Sequence, residues 1–273
     1  MWTGTDTTRL LALSSTALAV AAAITALEFL SVVNEFGDRG VFSWRILKAT
    51  GTKSRWVPHV LVDIRAVAAV LTVRLICAIV LLAGAVTTDV WAWRIGLAGI
   101  LLTGMFVSYR CNVGLDGADG MTTVVSAGLF LAMVNPHASS WQLLGLGFIA
   151  GQSCLSYFTA GIAKLASPVW RSGFATYGIA NTQTYGMASA ATFLGRYPRV
   201  SLFASWGVIV FEILFPLSLL LPRPGLIVLL ATGICFHVLS AIGMSLNVFV
   251  WSFVATYPAV WYCNHLLRQL LHT

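Results

Sequence analysis

The sequence predicts an all-helical integral membrane protein: a polytopic bundle of about eight transmembrane helices, with one or two interfacial segments and no soluble domain. Three observations carry this expectation. Apolar residues make up 58% of the 273 positions and charged residues only 9%, against roughly 25% charged in soluble globular chains. The mean hydropathy is +0.86. The apolar residues are gathered into runs near the roughly 20 residues that a helix needs to cross a bilayer core.

The runs justify the helices one by one. The first spans residues 10–33 and contains Glu28. Only Arg9 precedes it with a positive charge, and its length suits a retained helix rather than a cleaved leader. A polar stretch, 34–65, follows, within which Val41 to Leu47 (with Phe42, Trp44 and Ile46) has an interfacial amphipathic pattern. The second run is 66–87, with Arg74 inside it; the third is 92–108, the fourth a short 121–134, and the fifth 141–164. A second polar stretch, 166–200, contains the Gly/Ala/Thr/Tyr-rich segment Tyr177 to Leu194, suited to lying on the membrane surface or re-entering it. The sixth run, 201–221, holds Glu212 and ends at the Pro222–Gly225 break. The seventh is 226–243 and the eighth 248–267. Residues 1–273 read as a single membrane domain in the cell membrane.

The net charge of +7 does not call for nucleic acid. In such a chain, basic residues mark cytoplasmic loops and lipid headgroups. The loops after the odd-numbered spans collect Arg39, Arg45, Lys48, Lys53, Arg55, Arg65, Arg110, Lys164, Arg171, Arg196 and Arg199, against Arg9, Arg94, Arg223 and Arg268 on the other side. The positive-inside rule would put the odd loops in the cytoplasm and both termini outside, although structural charges in the count leave the orientation open. The five cysteines show no metal-ligand or redox spacing, so no metal is expected and they read as small apolar residues.

The ionisable residues inside the runs carry the functional signal, because such groups face a bundle interior or a wet cavity. Glu28, Arg74, Lys164, Glu212 and His237 lie in or at the ends of apolar runs, and Asp116 and Asp119 lie in an odd-numbered loop. By span parity all of them fall in the odd-loop half of the membrane or near its middle. A single polar cavity would explain that segregation. Ordinary roles stand beside this reading. Lys164 suits a snorkelling anchor, Glu28 and Arg74 a structural ion pair, His237 an interhelical hydrogen bond, and Asp116 with Asp119 a turn. Glu212 is the hardest to explain so, because a carboxyl that deep needs a partner or must hold on to its proton. Tyr157 and Lys164, seven residues apart with Gly161 between them, lie on one stripe of a helix.

These residues also carry a resemblance. Tyr157-Phe-Thr-Ala-Gly-Ile-Ala-Lys164-Leu, followed by Trp170 and Gly173, resembles the lysine motif of the horizontally transferred transmembrane domain. That is the membrane domain of vitamin K-dependent gamma-carboxylases. Phe236-His237, followed by Ile242-Gly243-Met244 and an aromatic-rich last span, resembles its later histidine helix. Phe211-Glu212 and the turn Asp116-Gly-Ala-Asp119 are similar to the sporulation-delaying-protein B branch, which matures an antimicrobial peptide. The resemblance covers about residues 110–258. It implies Lys164 as a base and His237 as its catalytic companion. It also implies Tyr157, Trp170, Arg110, Asn112, Asp116, Asp119, Glu212 and Met244 around a substrate or quinol such as menaquinol or vitamin K hydroquinone. The implied partners are membrane lipids, a peptide or small protein substrate and a partner subunit. The alternative is a non-catalytic partner in peptide maturation, export or immunity. The chain departs from the carboxylases in having no histidine between Asp63 and Asn135 and none of their large extramembrane domain.

Overall fold

The computed structural model describes residues 4–49, 63–111, 115–183 and 186–271, and its regular elements there are all helices. Six are long and apolar enough to cross a membrane, which makes this an all-helical membrane-type protein. The sequence shows no internal boundary, whereas the fold divides into two compact units, Met1–Gly145 and Leu146–Thr273.

The first unit begins with α1 (Gly4–Ser31), a 3-10 turn (Val33–Phe36) and the short α2 (Trp44–Ala49). It continues with α3 (Ile64–Thr87), α4 (Val90–Arg110) and α5 (Gly117–Ala132). Helices α3 and α4 form a tight hairpin. Thr88 ends α3 in a left-handed conformation (φ 58°), and Asp89 caps α4 by accepting from the Trp91 and Ala92 backbone N–H groups. Small residues let the two backbones touch. A Cβ at Gly96 would lie 2.6 Å from the Leu81 backbone, and one at Gly84 would lie 2.5 Å from Trp93 N. Helix α1 is tied to this hairpin where Trp93 Nε1 donates to Ser15 Oγ at 2.7 Å, both buried.

Asp116 and Asp119 start α5 as a reciprocal capping box. Asp116 Oδ1 accepts from the Ala118 and Asp119 N–H groups, and Asp119 Oδ2 accepts from Asp116 N–H at 3.2 Å. Both carboxylates serve groups that a helix start would otherwise leave unbonded. Asp116→Ala is expected to cost about 1 kcal/mol of stability, read as a lower unfolding midpoint in detergent; an unchanged midpoint would assign the aspartates another task. With 16 residues, α5 is about 24 Å long, shorter than the roughly 30 Å hydrocarbon core.

The second unit is built from α6 (Ser139–Ala166), whose body from Leu146 onward belongs to it, and three short helices, α7 (Pro168–Arg171), α8 (Phe174–Ala180) and α9 (Ala188–Arg196). These short helices occupy the stretch expected at the membrane surface. Next come α10 (Pro198–Leu214), which tightens into a 3-10 turn (Phe215–Leu219), then α11 (Arg223–Met244), α12 (Asn247–Val254) and α13 (Tyr257–Leu271). Pro216 lacks the N–H that would continue the α-helical ladder, and the carbonyls freed beyond it are taken up by Asn264. Its Nδ2 donates to Ser218 O at 2.8 Å and Leu221 O at 2.9 Å.

The eighth apolar run differs from expectation. It is two helices, interrupted at Ala255–Thr256. Pro258 has no N–H to donate to Val254 O, where α12 ends, and Thr256 bonds back to Phe253 O through both its N–H and its hydroxyl. The new helix starts there, with Ala259 and Val260 N–H groups both donating to Thr256 O.

Candidate functional site

The second unit draws together five of the residues singled out from sequence. Tyr157, Gly161 and Lys164 line one stripe of α6, and that stripe faces α10. A Cβ at Gly161 would lie 2.9 Å from Glu212 Cβ and 2.8 Å from Ile213 Cγ1, so only glycine permits this approach. One turn on, Lys164 Nζ donates to both Glu212 carboxylate oxygens, at 2.8 and 2.7 Å. It is the one ion pair among the described residues. The Glu212 side chain is 4% exposed and that of Lys164 20%, so the pair sits inward of its own entrance. The ammonium also lies 5.2 Å from the Trp170 ring centre, a cation–π contact that turns the lysine toward α7.

Two turns N-terminal of Lys164, the Tyr157 hydroxyl meets His237 Nε2 at 2.5 Å and the Tyr257 hydroxyl at 3.0 Å. All three side chains are buried. Rings enclose this triad. Phe215 lies 4.0 Å from Tyr157, Phe211 5.3 Å from it, and Phe253 stacks 4.4 Å from His237. Phe211 immediately precedes Glu212, so the phenol–imidazole cluster and the ion pair share one wall of α10. His237 Nδ1 is buried and has no hydrogen-bond partner among the described residues, the kind of orphaned polar atom that native interiors rarely keep without a reason. Gly233, one turn before His237, admits the Tyr257 hydroxyl into van der Waals range of the α11 backbone.

The other expected site residues are placed otherwise. Met244 is the last residue of α11, about 10 Å along the helix from His237. Asn112 lies outside the described residues. Arg110, Asp116, Asp119, Glu28 and Arg74 belong to the first unit. Arg110 is 1% exposed and clamps the chain after α1. It donates to Phe42 O at 2.6 Å and Phe36 O at 3.1 Å, between the Phe36 and Trp44 rings. The expected Glu28–Arg74 pair does not form. Arg74 donates instead to Ile100 O at 2.9 Å and to the Thr103 hydroxyl at 3.4 Å, groups that the close α3–α4 packing brings to its guanidinium.

Two contributors escaped the sequence reading. Tyr257 completes the hydrogen-bonded triad, and Asn264 braces the break after α10. Their signals, a hydroxyl and an amide in the last apolar run, did not stand out from Ser252, Thr256, Tyr262 and His265 in the same run. No known protein family, curated protein or solved structure matches the chain.

Proposed function

We propose that this chain is a multi-pass protein of the cell membrane, of the carboxylase-type horizontally transferred transmembrane family, with about eight spans and no soluble domain. The six long helices would be joined by α5 as the fourth span and α12–α13 as the eighth. Its second unit would be an enzyme or enzyme-subunit site in which Lys164 acts as a base on a lipid-soluble or peptide substrate. The observation that carries this reading is the two-pronged Lys164–Glu212 pair, half open at the lysine end. An ammonium cannot accept a proton, but a carboxylate 2.7–2.8 Å away can relieve it of one. In a low-dielectric site the ion pair loses much of its advantage over the neutral pair, because the charges give up their hydration. Lys164 would pass its proton to Glu212 and take one from the substrate, so that the pair gains a proton and the substrate loses one.

The quinol implied by the resemblance can be tested against the residues. A flat ring diol needs an aromatic wall, a polar atom for a hydroxyl and a base. Phe236, Phe249 and Phe253 around His237, the orphaned Nδ1 and Lys164 are groups of those kinds, and a quinol would have to part the packed rings to reach them. A bound quinol would supply an acidic phenolic hydroxyl and electrons for oxygen. Tyr157 would hold the His237 ring in place through Nε2, and Trp170 would hold the ammonium.

Retained quinone gives the test. Purified from membranes that contain menaquinone, the wild-type protein is expected to keep close to one quinone per chain. His237→Phe preserves ring stacking but removes both nitrogens, and should keep several-fold less. Equal retention would count against the quinol. A second reading, a non-catalytic partner in antimicrobial peptide maturation, export or immunity, is favoured by the way Lys164 and Glu212 satisfy each other, both carboxylate oxygens being taken by the one ammonium. It predicts that Lys164→Arg, which keeps the charge, is tolerated.

A further inference from the structure

An open cleft of about 660 Å³ lies among the short helices of the second unit, lined by Ser172, Phe174, Tyr177, Leu194, Pro198 and Ser201 among others. Its size is that of a small-molecule site, and its walls are fixed. Gly173 takes φ 80°, and a Cβ there would lie 2.6 Å from Leu202 Cα. Phe174 packs edge-on against Tyr177, and a Cβ at Gly195 would come 3.1 Å from the Tyr177 ring. The nearby backbone oxygens are already used: Ser201 Oγ donates to Gly173 O at 2.6 Å and Trp206 Nε1 to Arg171 O at 3.2 Å. What remains is a mostly carbon surface.

Three exposed arginines, Arg171, Arg196 and Arg199, stand next in sequence to the lining residues Ser172, Gly195 and Pro198 and form its basic rim along the chain. None of the three guanidinium groups has a hydrogen-bond or ion-pair partner among the described residues. The second unit carries Lys164, Arg171, Arg196, Arg199, Arg223 and Arg268 against a single acidic residue, Glu212. Both Glu212 oxygens are committed to Lys164. No carboxylate of this unit is left to neutralise the rim. Phe174, Phe193 and Tyr197 are 60%, 51% and 49% exposed, as suits aromatic residues at a membrane–water boundary.

We propose that this cleft is a specific site for one anionic phospholipid. The acyl chain would lie against Phe174, Tyr177 and Leu194, and the phosphate among Arg171, Arg196 and Arg199. A free phosphate would need no apolar cleft. An acidic peptide would need free backbone partners, and the Gly173 and Arg171 carbonyls are taken.

Native mass spectrometry of the full chain in uncharged detergent, titrated with phosphatidylglycerol or phosphatidylcholine, tests this. The wild-type protein should bind one phosphatidylglycerol saturably, about tenfold or more tighter than phosphatidylcholine, given the attraction of each arginine for an anionic headgroup. R171Q/R196Q/R199Q should bind the two lipids alike. Leu194→Trp, which fills the cleft and keeps every arginine, should lose the preference as well. Three results would overturn the proposal: no preference in the wild-type protein, an undiminished preference in Leu194→Trp, or displacement of the lipid by equimolar inorganic phosphate. If Leu194→Trp does not accumulate, the triple variant decides, since it alters only exposed side chains.

Discussion

Lys164→Met is expected to lower the stability of the detergent-solubilised protein by about 3 kcal/mol, and Glu212→Leu by a similar amount, because each leaves a buried charge without its partner. The double variant K164M/E212L should return to within about 1 kcal/mol of the wild type, since apolar replacement of both members of a buried pair is often neutral. The pair is desolvated unevenly, with Glu212 at 4% and Lys164 at 20% side-chain exposure. Glu212→Leu therefore strands a charge that can still reach water, and should be the milder of the two. The measurement is an unfolding midpoint by titration with denaturing detergent, converted to free energy over the four corners of the cycle. Additive losses would mean that the two residues do not stabilise each other. A rescued double variant that remained inactive would separate the function of the pair from its contribution to folding, a distinction that neither single substitution can make.

Gly161→Ala is the second large effect. The added methyl would sit 2.8–2.9 Å from Ile213 Cγ1, Glu212 Cβ and Ile213 N. One of those neighbours is backbone, so relaxation must move α10 itself rather than a side-chain tip. Overpacking of this kind costs about 1–3 kcal/mol. It should also lengthen the Lys164–Glu212 contact, because Lys164 lies on the same stripe of α6. The prediction is read twice: as a lower unfolding midpoint and as loss of the thermodynamic coupling between Lys164 and Glu212. Gly147 and Gly151, on the same helix, have nothing within 4 Å of an added Cβ, and alanine at either should leave both readouts unchanged. A Gly161→Ala protein with native stability and coupling would show that α6 and α10 are not locked at this point.

The long helices were legible in the sequence because a bilayer imposes a length. The apolar runs at 66–87 and 226–243 correspond to α3 (Ile64–Thr87) and α11 (Arg223–Met244) with shifts of a few residues. The stripe carrying Tyr157 and Lys164 was legible from helical geometry alone, and the depth of Glu212 called for either a partner or a held proton, of which the structure shows the partner. The identity of that partner was not legible, since a contact between residues 48 positions apart depends on which helices pack. The same reason defeated the Glu28–Arg74 pairing: equal depth on two helices does not make them neighbours at that height. Arg110 entered the expected site only through the resemblance, yet the carbonyls that hold it are 68 and 74 residues away. The break at Thr256 was readable in principle from Pro258, but hydropathy averages over a single proline. The Asp116–Asp119 capping box had its full signature in sequence; an aspartate followed three positions later by another acid is a helix start.

Whether Lys164 works as a base can be read from the oxidation of reduced menadione by oxygen. The protein would be reconstituted in lipid nanodiscs, and the reaction, quinol plus oxygen giving quinone plus hydrogen peroxide, would be read by oxygen uptake. The wild-type protein is expected to accelerate uptake over empty nanodiscs, and Lys164→Arg and Lys164→Ala should both lose the acceleration while accumulating in the membrane at wild-type levels. Arginine keeps the positive charge at this position, but it does not give up a proton in proteins. A Lys164→Arg protein as fast as the wild type, or a wild-type protein no faster than empty nanodiscs, would contradict the claim.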